Sequence, residues 1–246
     1  MPSILIIGAE RGLGLGLAET LNAMGWAVTG TARAGADTTA LQSVARVAHV
    51  DVTQADQVKV LRSEIGDSFD VIFLVAGIFG PLHNSVTEAT DAEFSEIMLT
   101  NCFGPIRLAH RLLDRLSPNG TLAVMSSHRA SITLNTEPGL KLDLYRASKA
   151  ALNILARTIH ADHPELTVLS IHPGWAATAM GTLDGTVDAE ISVEESVKGM
   201  AQVLTNHAGT RQNLYLDWQG NVLPWSPGRP LVRIGLWSQY KHSPTV

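Results

Sequence analysis

Ser3-Ile4-Leu5-Ile6-Ile7-Gly8-Ala9-Glu10-Arg11-Gly12-Leu13-Gly14 is the stretch whose reading decides the fold. From Ile4 to Ile7 it is apolar and mostly β-branched, as in a strand buried inside a parallel sheet. Gly8 ends that run, and helical periodicity takes over from Leu15 to Met24. Strand, glycine-rich turn and helix, in that order, make a cradle for phosphate. Glycines let a ligand approach the backbone, and a helix N-terminus offers unpaired N–H groups and a positive dipole. Gly8, Gly12 and Gly14, with Leu13 between the last two, are spaced G-x-x-x-G-x-G rather than as the commoner dinucleotide fingerprint G-x-G-x-x-G. A tight connection would also use glycines, but a turn directly after a first strand points to a nucleotide.

Outward from this turn, strands and helices alternate. Gly25 to Thr31, Arg46 to Val50, Phe69 to Val75, Gly120 to Met125, Leu166 to Ile171 and Asn213 to Asp217 each read as a strand. Helical patterns run from Gln54 to Ile65, from Thr90 or Asp91 to about Leu116, through the Tyr145 segment, and from Val193 to Asn206. Asp51 or Thr53 is placed to cap the first of these. The second contains Asn101, Gly104 and Pro105, all poor helix-interior residues, so a distorted turn is expected there. No repeat or internal linker interrupts the order. The expectation is one α/β domain, a doubly wound parallel sheet of Rossmann-like type flanked by helices, over residues 1–225, with a proline-containing tail from Ser226 to Val246.

Composition narrows the function classes. The chain has 246 residues, 45% hydrophobic and 17% charged, the balance of a soluble globular protein. A net charge of −5 and the lack of any basic run argue against nucleic acid. The one cysteine, Cys102, excludes an internal disulfide or a cysteine-rich metal site and reads as a small buried residue. No apolar run is long enough to span a membrane and no signal peptide pattern opens the chain, so no membrane is expected and the cytoplasm is the expected location.

Ligands of open parallel sheets bind beyond the C-terminal ends of the strands. The second strand ends at Ala32-Arg33, facing the adenine ribose in a dinucleotide fold. A carboxylate there suits NAD; Arg33, with Arg11 in the glycine turn, suits the 2′-phosphate of NADP. Asp37 lies too far along to serve as the NAD carboxylate. The fourth strand closes in Ala76-Gly77, and the fifth delivers Ser126-Ser127. The loop that follows leads to Leu144-Tyr145-Arg146-Ala147-Ser148-Lys149-Ala150-Ala151-Leu152-Asn153. Tyr145 and Lys149 lie on one helix face. At ~5 Å and an effective dielectric of ~20 their attraction is about 3 kcal/mol, enough to lower the phenol by about two pKa units. The same pair also occurs on ordinary solvated helices.

Together these pieces resemble the short-chain dehydrogenase/reductase family, from Ile6 to about Trp225. The matching motifs are Gly8-x-x-x-Gly12-x-Gly14, Asp51-Val52, Ala76-Gly77, Asn101, Ser126-Ser127, Tyr145-x-x-x-Lys149 and Pro173-Gly174. Tyr145 to Asn153 and His172-Pro173-Gly174-Trp175 are similar to the C-factor and sniffer-type carbonyl reductases within it.

The resemblance implies an NADP(H)-dependent carbonyl reductase, with NADP(H) preferred over NAD(H). Tyr145 is then the proton donor. Lys149 lowers its pKa and holds the nicotinamide ribose, Ser127 polarises the carbonyl oxygen, and Asn101 fixes a water linking Lys149 to solvent. Gly8, Arg11, Gly12, Leu13, Gly14, Arg33, Asp51, Val52, Ala76, Gly77, Tyr145, Lys149, Pro173, Gly174 and Thr178 bind the cofactor, Thr178 near its carboxamide. No metal is implied, and a homodimer or homotetramer is.

Three departures stand out. Leu74 and Val75 replace the family's asparagines, which removes a polar tie. The Ser127-to-Tyr145 spacing is long, as in the C-factor subgroup, which leaves Ser126 and Ser131 as rivals for the serine role. The pocket loops carry apolar Ile132, Leu134, Trp175 and Met180, which suit a moderately hydrophobic ketone or aldehyde. His128, beside the serines, reads as solvent-facing more readily than as a pocket group. A non-catalytic NADP-binding regulator or cell-signalling protein on the same fold is the alternative. An enoyl reductase fits less well, since that relative has a wider tyrosine–lysine spacing.

Overall fold

In the computed structural model, which describes residues 1–136 and 141–226, the seven apolar runs form one sheet. Its strands are β1 (Ser3–Ile7), β2 (Ala27–Ala32), β3 (Arg46–His49), β4 (Phe69–Leu74), β5 (Leu116–Met125), β6 (Thr167–His172) and β7 (Asn213–Asp217). They lie in the order β3-β2-β1-β4-β5-β6-β7, and every neighbouring pair is parallel. Strand order reverses between β1 and β4, which opens a crevice at their C-terminal ends. The expected tail from Ser226 to Val246 lies outside the described residues beyond Ser226.

Successive side chains of a strand face opposite sides, and here each side meets its own layer of helices. Leu5, Ile7, Ile72, Leu74, Leu122 and Val124 belong to one core, which is completed by α3 (Val58–Glu64), α5 (Gly104–His110) and α6 (Asp143–Asp162). Ile4, Ile6, Val71, Phe73, Ala123 and Met125 belong to the other, under α1 (Gly12–Ala23), α2 (Thr39–Gln42) and α7 (Val193–His207). Full burial of both faces is why these strands read as continuous apolar runs.

Two local expectations are corrected. Neither Asp51 nor Thr53 caps a helix: Asp51 Oδ1 accepts both the Thr53 N–H and its hydroxyl, closing a turn before a short 3₁₀ segment at Ala55–Gln57. The long helix from Thr90 is also shorter than its pattern. Thr90 does cap α4 (Asp91–Met98), through a reciprocal box with Glu93. A π turn at Leu99–Phe103 then joins it to α5, which stops at His110. From there i→i+3 bonds turn the chain, and Leu116 opens β5. Leu74 and Val75 stand where the family's asparagines would. The N–H groups of Val75 and Ala76 both donate to the Ile7 carbonyl at 2.9 Å, so the backbone holds β4 to β1.

The N-terminus of α1 is pressed against the end of β1. A methyl at Gly14 would stand 2.0 Å from the Gly8 carbonyl oxygen, and one at Gly8, where φ is +89°, would stand 2.9 Å from Ala76. Overpacking of this kind costs about 1–3 kcal/mol or more. Gly14→Ala is therefore expected to lower the urea midpoint of unfolding by at least that equivalent; an unchanged midpoint would contradict the contact.

Candidate active site

β5 ends in three serines with different neighbours. Ser126 is buried and its hydroxyl donates to Asn153 Oδ1 on α6 at 2.7 Å. The Ser131 hydroxyl is taken by the Pro224 carbonyl and by the Leu134 N–H. Ser127 is the one whose side chain meets the Tyr145 phenol, and it also accepts the Arg129 N–H at 3.2 Å.

Behind the phenol, Lys149 is buried, its Nζ 5.8 Å from the Tyr145 ring centre, and it donates to the Met125 carbonyl at 2.8 Å. Burial sets both proton affinities. It lowers Lys149 to about 8, because an ammonium out of water is destabilised. It raises the Tyr145 phenol, against a smaller opposing effect of the Ser127 hydrogen bond. The expected lowering of the phenol by Lys149 is thus not found in this state. Desolvation of the phenolate is the dominant cause.

Asn101 occupies the π turn, fully buried. Its Oδ1 accepts the Ile78 N–H at 2.7 Å, while its Nδ2 donates to the Ile78 carbonyl at 2.8 Å and the Ser148 hydroxyl at 3.0 Å. These bonds make its side chain a clamp between the β4 loop and α6. The π turn also seats Cys102, whose thiol burial pushes up.

The crevice residues fit a dinucleotide. Among the described residues no side chain caps α1, where Arg11 stands in the cap position, so the first-turn N–H groups from Gly12 to Gly14 have no capping side chain. Gly12 has no backbone over it, only the Thr178 methyl 3.7 Å from where a Cβ would stand. Beside the turn, Glu10, Arg11, Arg33, Ala36, Asp37 and Ala40 line an open cleft of about 420 Å³. Arg33 is loosely paired with Glu10 at 3.9 Å and stays largely exposed. Asp37, expected to lie too far along, reaches this cleft, but its carboxylate accepts the Thr39 N–H at 2.9 Å.

Further along the crevice, a Cβ at Gly77 would stand 3.2 Å from Asn101 Oδ1 and 3.4 Å from Lys149 Nζ, so Ala76-Gly77 runs directly past the Tyr145 group. Thr178 Oγ1 accepts the Gly181 N–H, which leaves its own proton to donate. The Pro173 carbonyl takes the Ser196 hydroxyl, and Gly174 packs on Trp218 and Ile191. Asp51 and Val52 are held from behind: Gln57 accepts the Asp51 N–H and Arg107 donates to the Val52 carbonyl. Ile132, Leu134, Trp175 and Met180 are exposed at this end of the sheet.

Several residues at the site carried no sequence signal. The Tyr215 hydroxyl, from β7, donates to the Ser127 carbonyl beneath the reactive end of β5. Phe79 stacks on Tyr145 with ring centres 5.7 Å apart. Asn84 accepts the Tyr145 N–H. His128 does not face solvent: its Nδ1 lies 3.0 Å from His172 Nε2. The adjacency of Ser127 and His128 hinted at this pair, but nothing local tied His172 to it.

Burial, with Arg129 and Arg146 nearby, lowers His128 to about 4; burial, with His128 and Arg129, lowers His172 to about 3. Unfolded histidine takes up its proton near 6.5, before the folded rings do, so protonation favours the unfolded chain. Folding stability is expected to fall as pH drops below about 6.5, and NMR titration should find both rings neutral at pH 5. A ring that titrates near 6.5 would contradict the burial of the pair.

Among the described residues, no helix is long and apolar enough to cross a membrane, and no three His, Cys, Asp or Glu side chains are grouped to hold a metal ion. A protein-family model described as enoyl-(acyl carrier protein) reductase matches residues 8–209. The C-signal protein of Myxococcus xanthus is 34% identical over 161 residues, 63% of this chain and 92% of that protein. A carbonyl reductase from Pseudomonas aeruginosa PAO1, solved in complex with NADP, superposes with a TM-score of 0.82 at 34% identity, over 92% of this chain and 100% of that one. The carbonyl reductase Sniffer of D. melanogaster superposes with a TM-score of 0.79 at 26% identity, again over 92% of this chain and 100% of that one. With this match over most of its length, and with its sheet order and glycine turn, the chain belongs to the short-chain dehydrogenase/reductase family of oxidoreductases.

Proposed function

We propose that the protein is an NADPH-dependent reductase of ketones or aldehydes, with residues 1–225 carrying both the cofactor and the substrate sites. The observation that carries the reading is the buried Lys149 ammonium, 5.8 Å from the Tyr145 ring centre, beside the end of β5 that delivers Ser127. NADPH, when bound, supplies the hydride. Gly12, Leu13 and Gly14 offer their N–H groups to its pyrophosphate, and Arg11 and Arg33 offer guanidinium groups to the 2′-phosphate. That phosphate competes with Glu10 for Arg33, a pairing loose enough to yield.

The protein's own part is proton supply and charge placement. A phenol whose proton affinity is raised by burial keeps its proton until an acceptor of higher basicity arrives, namely a carbonyl oxygen gaining negative charge. The Ser127 hydroxyl donates to the same oxygen and holds it in line, an oxyanion-type contribution. When the phenol gives up its proton, the Lys149 ammonium stabilises the phenolate, and at a pKa of about 8 it is still mostly charged at neutral pH. Asn101 keeps the β4 loop and α6 together while this happens.

Exposed apolar Ile132, Leu134, Trp175 and Met180 support a moderately hydrophobic substrate. Exposed Phe94, Phe103 and Ile154 on the α4–α6 side support a homodimer or homotetramer. Similarity to the C-signal protein favours, as a second reading, a regulator that binds NADP without turnover. A pure binder has no need of a phenol held against a serine. Enoyl reduction, named by the family model, is disfavoured by the four-residue Tyr145–Lys149 spacing.

A panel of carbonyl compounds should consume NADPH with the wild-type protein. Tyr145→Phe is expected to lower kcat by about 10²- to 10⁴-fold with the NADPH Kd within about twofold; unchanged turnover would remove Tyr145 as the acid. For the cofactor, Arg33→Ala should raise the NADPH Kd by about 10- to 100-fold and leave the NADH Kd within about twofold. Equal losses for both coenzymes would count against the 2′-phosphate assignment.

A further inference from the structure

The proton donor sits in the first turn of α6, where helix N–H groups have no partner within the helix. Leu142 occupies the cap position there, and no side chain of this segment caps the helix. The partner comes instead from the loop after β4. Asn84 Oδ1 accepts the Tyr145 N–H at 3.0 Å across 61 residues of sequence, and the Asn84 carbonyl accepts the Asp143 N–H at 2.8 Å. The contact is reciprocal: the Asp143 carboxylate accepts the Val86 N–H at 3.1 Å.

Asn84 is fully buried and is built for this place. Its φ of 42° lies in the left-handed region, which asparagine tolerates better than most residues. Its Nδ2 donates to the Phe79 carbonyl at 2.8 Å, and the Phe79 ring is the one stacked on Tyr145. One side chain therefore holds both the backbone of Tyr145 and the residue that covers its ring.

The carbonyl side of Tyr145 is fixed by Asn101. Its Nδ2 donates to the Ser148 hydroxyl, which in turn donates to the Tyr145 carbonyl at 2.8 Å. Asn101 also grips Ile78, next to Phe79. The loop from Ile78 to Asn84 is thus held at both ends by asparagines, one bonded to the N–H of Tyr145 and one acting on its carbonyl through Ser148.

We infer that Asn84 is a positioning residue for proton transfer, a helix cap supplied from outside the helix that fixes the Tyr145 phenol against Ser127 and under Phe79. The kinetic part of this inference rests on Tyr145 being the acid; the structural part does not. Misplacement of a reacting group by about 1 Å can lower a rate by about 10²-fold. The glycine turn and the Arg11–Arg33 cleft, which would hold the phosphates of the cofactor, lie on the β1 and β2 side of the crevice, away from this contact.

The test uses Asn84→Gly, which relieves any backbone strain and deletes both side-chain bonds, and Asn84→Asp, which keeps the acceptor for the Tyr145 N–H. In Asn84→Gly, amide hydrogen exchange at Tyr145 should become at least about 10-fold faster, from loss of the bond. Its kcat should fall about 10- to 100-fold, with the KM for NADPH within about twofold. Asn84→Asp should restore most of the amide protection and most of the kcat.

A Gly variant whose kcat stays within twofold, or whose kcat and NADPH affinity fall together, overturns the positioning role, as does an Asp variant that recovers neither readout. If the wild-type protein reduces no carbonyl compound, the proposed reaction fails. Exchange at Tyr145 then decides the Asn84 contact by itself: unchanged protection in Asn84→Gly overturns it, and lost protection that Asp restores supports it.

Discussion

The contact between the Gly8 carbonyl and Gly14 is the constraint on which the rest is arranged. With 2.0 Å between that oxygen and any Cβ at Gly14, the helix can begin directly on the end of the first strand, and only there. The same turn brings Gly8 against Ala76, and Ile7 takes the backbone bonds of Val75 and Ala76. β1, β4 and α1 are therefore locked together at the point where the sheet order reverses. Every other part of the site is placed relative to that point. Ala76-Gly77 leads into the loop that the two asparagines hold, and the loop in turn holds α6. A row of helix N–H groups without a capping side chain and a partly buried phenol thus share one crevice, though 131 residues separate Gly14 from Tyr145.

Desolvation, more than charge pairing, sets the chemistry of that crevice. A phenol and an ammonium close together in water would favour phenolate and ammonium. In the folded protein Lys149 is buried and Tyr145 partly so, and burial disfavours each charged form. The phenol rises and Lys149 falls to about 8. The direction suits a proton donor better than a base, because the donor must be protonated when substrate arrives. In the proposed reaction the nearby ammonium matters at a later instant, when charge appears on the phenol oxygen. The neutral His128–His172 pair follows the same rule: two imidazoles beside Arg129 and Arg146 are held uncharged.

What the sequence revealed and what it hid divide along one line, the reach of the interaction. The inner strands were legible because burial on both faces imposes a continuous apolar run, and the glycine turn because a close backbone approach admits nothing larger. The π turn was legible from Asn101, Gly104 and Pro105 lying inside one helical pattern. The early end of that helix was not, since Leu112 and Leu113 keep the apolar pattern while the i→i+3 bonds turn the chain. The Asp51 turn was misread as a cap because both use the same oxygen on the same kind of N–H donor. Asn84, Phe79, Tyr215 and His172 were invisible, each being an ordinary residue in its own neighbourhood. Their roles come from partners 44 to 88 residues away or, for Phe79, from a ring across the crevice.

The three serines show why residue type alone could not have settled the site. Ser126, Ser127 and Ser131 lie within six residues of one another and all are buried. Strand alternation sends Ser126 and Ser127 to opposite sides as β5 ends. The side of Ser126 is already occupied by Asn153, so its hydroxyl is consumed in joining α6 to the sheet. Ser131 is consumed in joining the loop to Pro224. The side of Ser127 opens on the crevice, and the phenol is the side-chain group it meets there. Its backbone carbonyl is fixed from below by Tyr215, so the strand end cannot rotate that hydroxyl away. Of the three, Ser127 is thus the serine whose hydroxyl proton is not already given to Asn153 or Pro224, and its carbonyl is held by a buried tyrosine.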